Sequence, residues 1–249
     1  MTGVVVVGPK TRLGREVVAQ LSGEPLLAVA RDAADAAVVA GLPGLDASRV
    51  VDAAAGQLSE RVAALGSGAV RLVITALGPV HPEAPRTSYD AAAVVRDLGF
   101  IEQVLAAGRP VRVVLVSTVI ALAPGADRRD YGGWRSVVEQ QLQQLVDERN
   151  RAGGRVTLSV LYPGRLLDAA ERRGRLRLHT SYQSLAARAL ATGASEREVE
   201  RIVGIDSRIW CAVRSISLAL RSLTPSTRRS VPPSPEPGAT DQYLSGEGG

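Results

Sequence analysis

The sequence predicts an α/β fold: one domain built on a doubly wound, Rossmann-like parallel sheet. Three observations point there. Short valine-rich apolar runs alternate with longer Ala- and Leu-rich stretches of helical spacing over residues 1–165. The runs are continuously apolar, as strands covered on both faces require. The chain has 249 residues, 45% of them apolar and only 3% aromatic, which suits a single large core of β-branched strands under small-residue helices.

Taken in order, a first strand is read at residues 4–8 and a helix at 12–21. A second strand at 25–31 ends on Arg31 and is followed by a helix at 33–40, a weak strand at 49–52 and a helix at 56–65. Strand 71–78, helix 87–107, strand 111–118, helix 132–150 and strand 155–164 complete the alternation. Strands joined through helices imply right-handed crossovers and parallel pairing. Ligands of such sheets bind beyond the carboxyl ends of the strands, near the point where strand order reverses, so the loops after strands one, four, five and six are the candidate site.

The alternation fades after Gly164. Residues 166–223 read as a substrate-facing segment followed by C-terminal helices. Within it, Ser195 to Glu198 has capping-box spacing and Asp206 is placed to cap the next helix. Ile209, Val213, Ile216 and Leu220 recur on one face of that last helix, as in a docked helix or a subunit contact. Residues 224–249 are rich in Pro, Ser, Gly and charge, the composition of a disordered tail.

Composition also narrows the partners. The net charge is +5, but the arginines are scattered and no basic block is interleaved with stacking aromatics, so no nucleic-acid partner is expected. Cys211 is the only cysteine, which rules out an internal disulfide. No stretch has the length and apolarity of a targeting segment or a membrane span, and a cytoplasmic protein without a membrane partner is expected. The two histidines, His81 and His179, lie far apart without a cysteine or carboxylate cluster, so no metal is expected.

The segment "GPKTRLG", Gly8 to Gly14, follows the first strand directly and contains Lys10, the only lysine. A phosphate-binding turn uses glycines for the turn itself, for close approach of backbone to a pyrophosphate, and for packing the following helix on its strand. Gly8 and Gly14 fit the first and third roles. The middle place is held by Thr11 or by Arg12, depending on the template. Free N–H groups at the helix start, at Arg12 and Leu13, the Thr11 hydroxyl and the charges of Lys10 and Arg12 compensate. Arg31, at the end of the second strand, is placed to meet a 2′-phosphate and points to NADP; the next residue, Asp32, is acidic.

A second constellation follows strand five. The strand ends on Ser117 and Thr118, and Tyr131 comes 13 positions after Thr118, with Arg135 one helical turn later. Residues four apart share a helix face, so Tyr131 and Arg135 point into the same cleft. Around it, Trp134, Val137, Val138, Leu142 and Leu145 are placed to pack on the sheet or on a neighbouring subunit. His81 stands near the expected cleft mouth, and His179 and Tyr182 are candidate lid residues.

With these residues the sequence resembles the short-chain dehydrogenase/reductase superfamily, particularly its atypical, NAD(P)H-binding-like members, over residues 1–165. The matching features are the Gly8 to Gly14 loop, Ala76 to Gly78 in place of Asn-Ala-Gly, Ser117 and Thr118, Tyr131 to Arg135 in place of Tyr-x-x-x-Lys, and Pro163 and Gly164 after strand six. The resemblance implies that Tyr131 is the general acid/base, that Thr118, with Ser117 in reserve, holds the substrate oxygen, and that Arg135 binds the nicotinamide ribose and lowers the tyrosine pKa. Gly8, Lys10, Thr11, Arg12, Leu13, Gly14, Arg31, Ala76, Gly78, Pro163 and Gly164 would hold NADP. It further implies hydride exchange with a small-molecule carbonyl or alcohol, and a homodimer. Arg135 departs from the pattern: a guanidinium supplies a positive field but does not relay a proton. A cyclase, dehydratase or isomerase on the same fold, and a non-catalytic NADP-sensing protein, are the alternative readings.

Overall fold

The computed structural model describes residues 2–21, 23–77, 91–122, 129–168 and 179–223. Its strands are β1 (Gly3–Val7), β2 (Leu26–Ala30), β3 (Val50–Asp52), β4 (Val70–Ile74), β5 (Val111–Val116), β6 (Val156–Pro163), β7 (Leu166–Leu167), β8 (Thr180–Ser181) and β9 (Glu200–Val203). Its helices are α1 (Arg12–Gln20), α2 (Ala33–Ala40), α3 (Leu58–Ala63), α4 (Ala91–Leu105), α5 (Val119–Leu122), α6 (Arg129–Arg151), α7 (Tyr182–Ala194) and α8 (Ile205–Leu223). Seven strands form one parallel sheet in the order β3-β2-β1-β4-β5-β6-β9, and β7 pairs with β8 separately.

Continuous apolarity has the anticipated cause. Val5 and Val7 of β1 face one core layer with Leu72, Val113 and Leu115 under α3, α4 and α6, whereas Val4 and Val6 face the other with Leu13, Val17 and Leu185 of α1 and α7;. A strand packed on both sides has no solvent face on which to place polar residues. Each fully buried valine or leucine contributes about 1.5–3 kcal/mol relative to exposure. Strand order reverses at β1, between β2 and β4, so the crevice opens at the carboxyl ends of β1 and β4.

The main difference from the sequence reading lies after Gly164. Residues 182–203 supply α7, whose Leu185, Ala186 and Ala189 are fully buried against α1, β4 and β5, and β9, the seventh strand. No helix starts at Ser195. That residue ends α7, where its N–H bonds the Thr192 carbonyl at 3.0 Å and its hydroxyl accepts from Arg197 N at 3.1 Å, an ST turn with the composition of a cap.

Helix α8 starts near the expected place, with Asp206 inside its first turn rather than capping it. Ile205, Ile209, Val213 and Ile216 of this helix are more than half exposed. Gly78, His81, the start of the fourth helix at 87–90 and the tail at 224–249 lie outside the described residues. No helix among the described residues is long and apolar enough to cross a membrane.

Candidate nucleotide and acid/base site

The turn after β1 is built as its two glycines demand. Gly8 has φ +82°, a backbone region L side chains rarely adopt, and a Cβ there would stand 2.8 Å from both Ala76 Cβ and Thr75 Oγ1. A Cβ on Gly14 would stand 2.2 Å from the Gly8 carbonyl oxygen. These are the tight turn and the close helix packing read from the sequence.

Thr11 is the N-cap of α1: its Oγ1 accepts from Gly14 N at 2.9 Å and lies 2.9 Å from the Gly8 carbonyl and 3.1 Å from Thr75 Oγ1. Thr75 in turn lies 3.0 Å from the Val7 carbonyl and 2.9 Å from that of Gly8. The Thr11 side chain thus folds inward and its hydroxyl is engaged within the loop. Arg12 and Leu13 open the helix with N–H groups that have no intrahelical partner, a concavity suited to a phosphate.

The cations around this turn are paired. Lys10 Nζ meets the Asp35 carboxylate, and the Arg31 N–H bonds Asp35 Oδ2 at 2.9 Å. The Lys10 ammonium and the Arg31 N–H hold the Asp35 carboxyl below its ordinary value, although burial alone would raise it. Arg31 reaches Asp97 of α4 at 3.3 Å, and both Lys10 and Arg31 remain about half exposed, at 48% and 46%. Asp32 is used as the N-cap of α2. Arg12 pairs with Asp168, just beyond β7, and its guanidinium lies 5.3 Å from the centre of the Tyr182 ring. Ala76 is buried against Gly8.

The residues of the second constellation have separate partners. Arg135 is 6% exposed; its Nη1 donates to the Leu77 carbonyl at 3.0 Å, and its guanidinium carbon sits 5.9 Å from the Tyr131 ring centre and 5.6 Å from that of Trp134. Its Nε is buried and has no partner among the described residues. Thr118 is partly exposed and accepts from Ile120 N at 3.4 Å, which leaves its own proton uncommitted among the described residues.

Ser117 is committed elsewhere. Its hydroxyl donates to Glu139 of α6, whose other oxygen accepts from the Tyr162 hydroxyl of β6 at 3.0 Å. Burial pushes the Glu139 carboxyl above its ordinary value, against the opposing effects of Ser117, Tyr162 and Arg135. The Tyr162 hydroxyl is likewise raised, by burial and by Glu139. Sequence reading missed Glu139, although it stands two turns after Tyr131 on the same face; a lone acid in a polar helix reads as solvated. Thr75, directly before Ala76, was missed for the same want of a motif.

Pro163 and Gly164 end β6 beside α8. A Cβ on Gly164 would stand 2.5 Å from Ser207 Oγ and 2.6 Å from Asp206 Oδ2, so this glycine is required for packing. Asp206 Oδ2 pairs with His179 Nδ1 at 3.0 Å. The described residues contain no group of three or more His, Cys, Asp or Glu able to hold a metal. A cavity lined by Thr2, Glu24, Pro25, Arg71 and Arg112 opens at the opposite, amino end of the strands, where Arg71 pairs with Glu24 and Arg112 with Glu196.

The chain has the fold of the short-chain dehydrogenases/reductases. It is similar to a short-chain dehydrogenase from Burkholderia cenocepacia in complex with NADP, at 15% identity over 90% of this chain and 98% of that one, with a TM-score of 0.58. A short-chain type dehydrogenase/reductase from Mycobacterium ulcerans is similar at 17% identity over 89% and 94% of the two chains, with a TM-score of 0.55. A short-chain dehydrogenase/reductase from Vibrio parahaemolyticus is similar at 17% identity over 80% and 98%, with a TM-score of 0.51. No family model and no curated protein matches the sequence.

Proposed function

We propose that this chain is an NADP-dependent oxidoreductase of the short-chain dehydrogenase/reductase type, acting on a small-molecule carbonyl or alcohol. The observation that carries the reading is Arg135: a buried guanidinium beside Tyr131, tied to the loop after β4, with Nε left without a partner among the described residues. That nitrogen and the open start of α1 fit two parts of a dinucleotide, the nicotinamide ribose and the pyrophosphate. NADP, when bound, exchanges hydride with the substrate carbon.

The residues of the chain divide the remaining work. Gly8 to Gly14 receive the pyrophosphate, and Lys10 and Arg31 flank the place of a 2′-phosphate. Thr118 donates to the substrate oxygen, a role Ser117 cannot share while its proton is given to Glu139. Tyr131 exchanges the proton with that oxygen, helped by the positive field of Arg135. A cytoplasmic homodimer fits this reading, with Val95 of α4 and Val137 of α6 exposed at 67% and 42%.

One observation favours a second reading. Lys10 and Arg12 are both held by carboxylates, an arrangement that also suits a non-redox cyclase, dehydratase or isomerase needing no nucleotide. Titration with NADPH and NADH, followed by turnover on a panel of aldehydes and ketones, decides. NADPH binding with reduction is expected. Absence of binding supports the non-redox enzyme, and binding without turnover supports an NADP-sensing protein.

A further inference from the structure

We infer that the amino end of the sheet carries an anion site, in which Arg71 of β4 and Arg112 of β5 hold the phosphate group of a small phosphorylated molecule. The inference is independent of the oxidoreductase reading, because this site lies at the opposite end of the strands from the crevice.

Register makes the two arginines neighbours. Val4 of β1 pairs with Arg71, and Arg71 pairs with Arg112. Adjacent strands lie about 4.8 Å apart, and residues two positions on share a face. Val4, Val73 and Val114 belong to the layer under α1 and α7, so both arginines leave the sheet on that side. The end of α7 lies over them: a Cβ on Gly193 would stand 3.6 Å from Arg71 Cδ, and Arg112 Nη1 donates to the Ala194 carbonyl at 2.9 Å.

Packing gives no reason for this pair. The other residues of β1, β4 and β5 in the same layer, Val4, Val6, Val73, Val114 and Val116, are all apolar. Like charges side by side on neighbouring strands destabilise a sheet, and an anion held between them removes that cost.

The acids of the chain satisfy the pair incompletely. Arg71 is only 9% exposed and donates from Nη2 to Glu24, while its Nε is buried without a partner among the described residues. Arg112 donates from Nη2 to Glu196 at 2.8 Å. The side chain of Glu24 is 44% exposed and that of Glu196 86%, and ion pairs to such exposed acids are weak enough to yield to a better acceptor. A carboxylate has two oxygens and matches one guanidinium fork. A phosphate monoester has three terminal oxygens and a charge of about −1.5 to −2, so a single group bonds both forks at once.

The space fits such a ligand. The cavity that Arg71 and Arg112 line measures about 430 Å3, within the range of small-molecule pockets and larger than a phosphate alone fills. Thr2 adds a hydroxyl, and Pro25 and Ala194 add apolar surface for an organic body. On binding, the Glu24 carboxylate, which also lines the cavity, gives up Arg71 to the phosphate and turns to solvent.

Calorimetric titration of the full chain with glycerol 3-phosphate and with inorganic phosphate, at low ionic strength, tests the site. Both should bind, the ester more tightly. Arg71→Gln and Arg112→Gln should each weaken glycerol 3-phosphate at least about tenfold, the loss of a charge-assisted hydrogen bond. Glu24→Gln removes the competing carboxylate and should tighten binding several-fold; as an exposed position it remains informative if Arg71→Gln fails to fold. Arg12→Ala, at the turn after β1, should leave this affinity unchanged. The site is overturned if neither anion binds, if both arginine variants keep the wild-type affinity, or if Glu24→Gln fails to tighten it. A loss confined to Arg12→Ala moves the phosphate to the start of α1 and overturns it equally, and equal affinity for the two anions overturns the phosphorylated molecule in favour of free phosphate.

Discussion

Arg135 Nη1 donates to the Leu77 carbonyl oxygen at 3.0 Å, which ties the first turns of α6 to the segment that leaves β4. The side chain is buried and Leu77 is fully buried, so this single bond joins the two halves of the proposed site in a region water does not reach. Arg135→Ala leaves that carbonyl without its donor, at a cost of about 1–3 kcal/mol. A fall in melting temperature of about 2–4 °C per kcal/mol is expected for a chain of this size, and Arg135→Lys should recover part of it. An alanine variant that melts like the wild type would show the contact to be dispensable.

Gly14→Ala and Gly8→Ala should be far more damaging than Gly56→Ala. All three replace a glycine, but a Cβ at Gly14 meets the Gly8 carbonyl at 2.2 Å and one at Gly8 meets Thr75 and Ala76 at 2.8 Å, whereas Gly56, with φ +73°, has nothing within 4 Å. Gly56→Ala therefore carries only the backbone term of about 1–2 kcal/mol. Chemical denaturation of the three variants, with NADPH titration of those that fold, checks the order; equal losses would mean that φ alone matters at the turn.

Thr11 separates capping from phosphate contact. Thr11→Ala removes the side-chain acceptor for Gly14 N and should cost about 1 kcal/mol, Thr11→Ser should be nearly neutral, and Thr11→Gly should lose only a few tenths. Because the hydroxyl is engaged inside the loop, Thr11→Gly is also expected to keep or improve NADPH affinity. A marked loss of affinity in the glycine variant, at unchanged stability, would place the hydroxyl on the phosphate instead.

Two carboxyls predict opposite pH limbs of stability. The Asp35 carboxyl is depressed in the folded chain, so its contribution is present above the ordinary aspartate value and is lost as pH falls through the folded one. The Glu139 carboxyl is raised, so its contribution is full below the ordinary glutamate value and declines as pH rises through the folded one. Urea midpoints across pH should show a flattened acid limb for Asp35→Asn and a flattened decline above the glutamate value for Glu139→Gln. Parallel curves for wild type and variants would remove the assignment.

The ion pair of Arg12 with Asp168 offers a contrast in kind. Its side chains are 62% and 36% exposed, so Arg12→Ala should cost less than about 1 kcal/mol of stability. Under the oxidoreductase reading the same change removes a cation beside the pyrophosphate and should weaken NADPH binding in a salt-dependent manner. Unchanged affinity at low salt would assign Arg12 to the Asp168 and Tyr182 contact alone.

The alternation of apolar runs, the two-sided burial of the strands and the roles of Gly8 and Gly14 were legible in the residues, because local sequence periodicity and the absence of a Cβ act over a few positions. The strand β9 was not legible: four residues, Glu200–Val203, with two exposed charged side chains carry no strand signal until β6 offers an edge to pair with. Helix α7 was not legible either, since its apolar residues reveal their partners only once α1, β4 and β5 present a surface.

Chain order by itself determined the sheet class, the crevice at the carboxyl ends of the strands and the meeting of Tyr131 with Arg135 on one helix face, since these follow from repeat length and residue spacing. Tertiary structure alone decided that Thr11 caps rather than reaches outward, that the Ser117 hydroxyl donates its hydrogen bond to Glu139, and that Lys10 and Arg12 are neutralised by Asp35 and Asp168. Each of these joins a strand tip or turn to a side chain many residues away, and hydrogen bonds and ion pairs are settled by distance in space, which spacing along the chain does not encode.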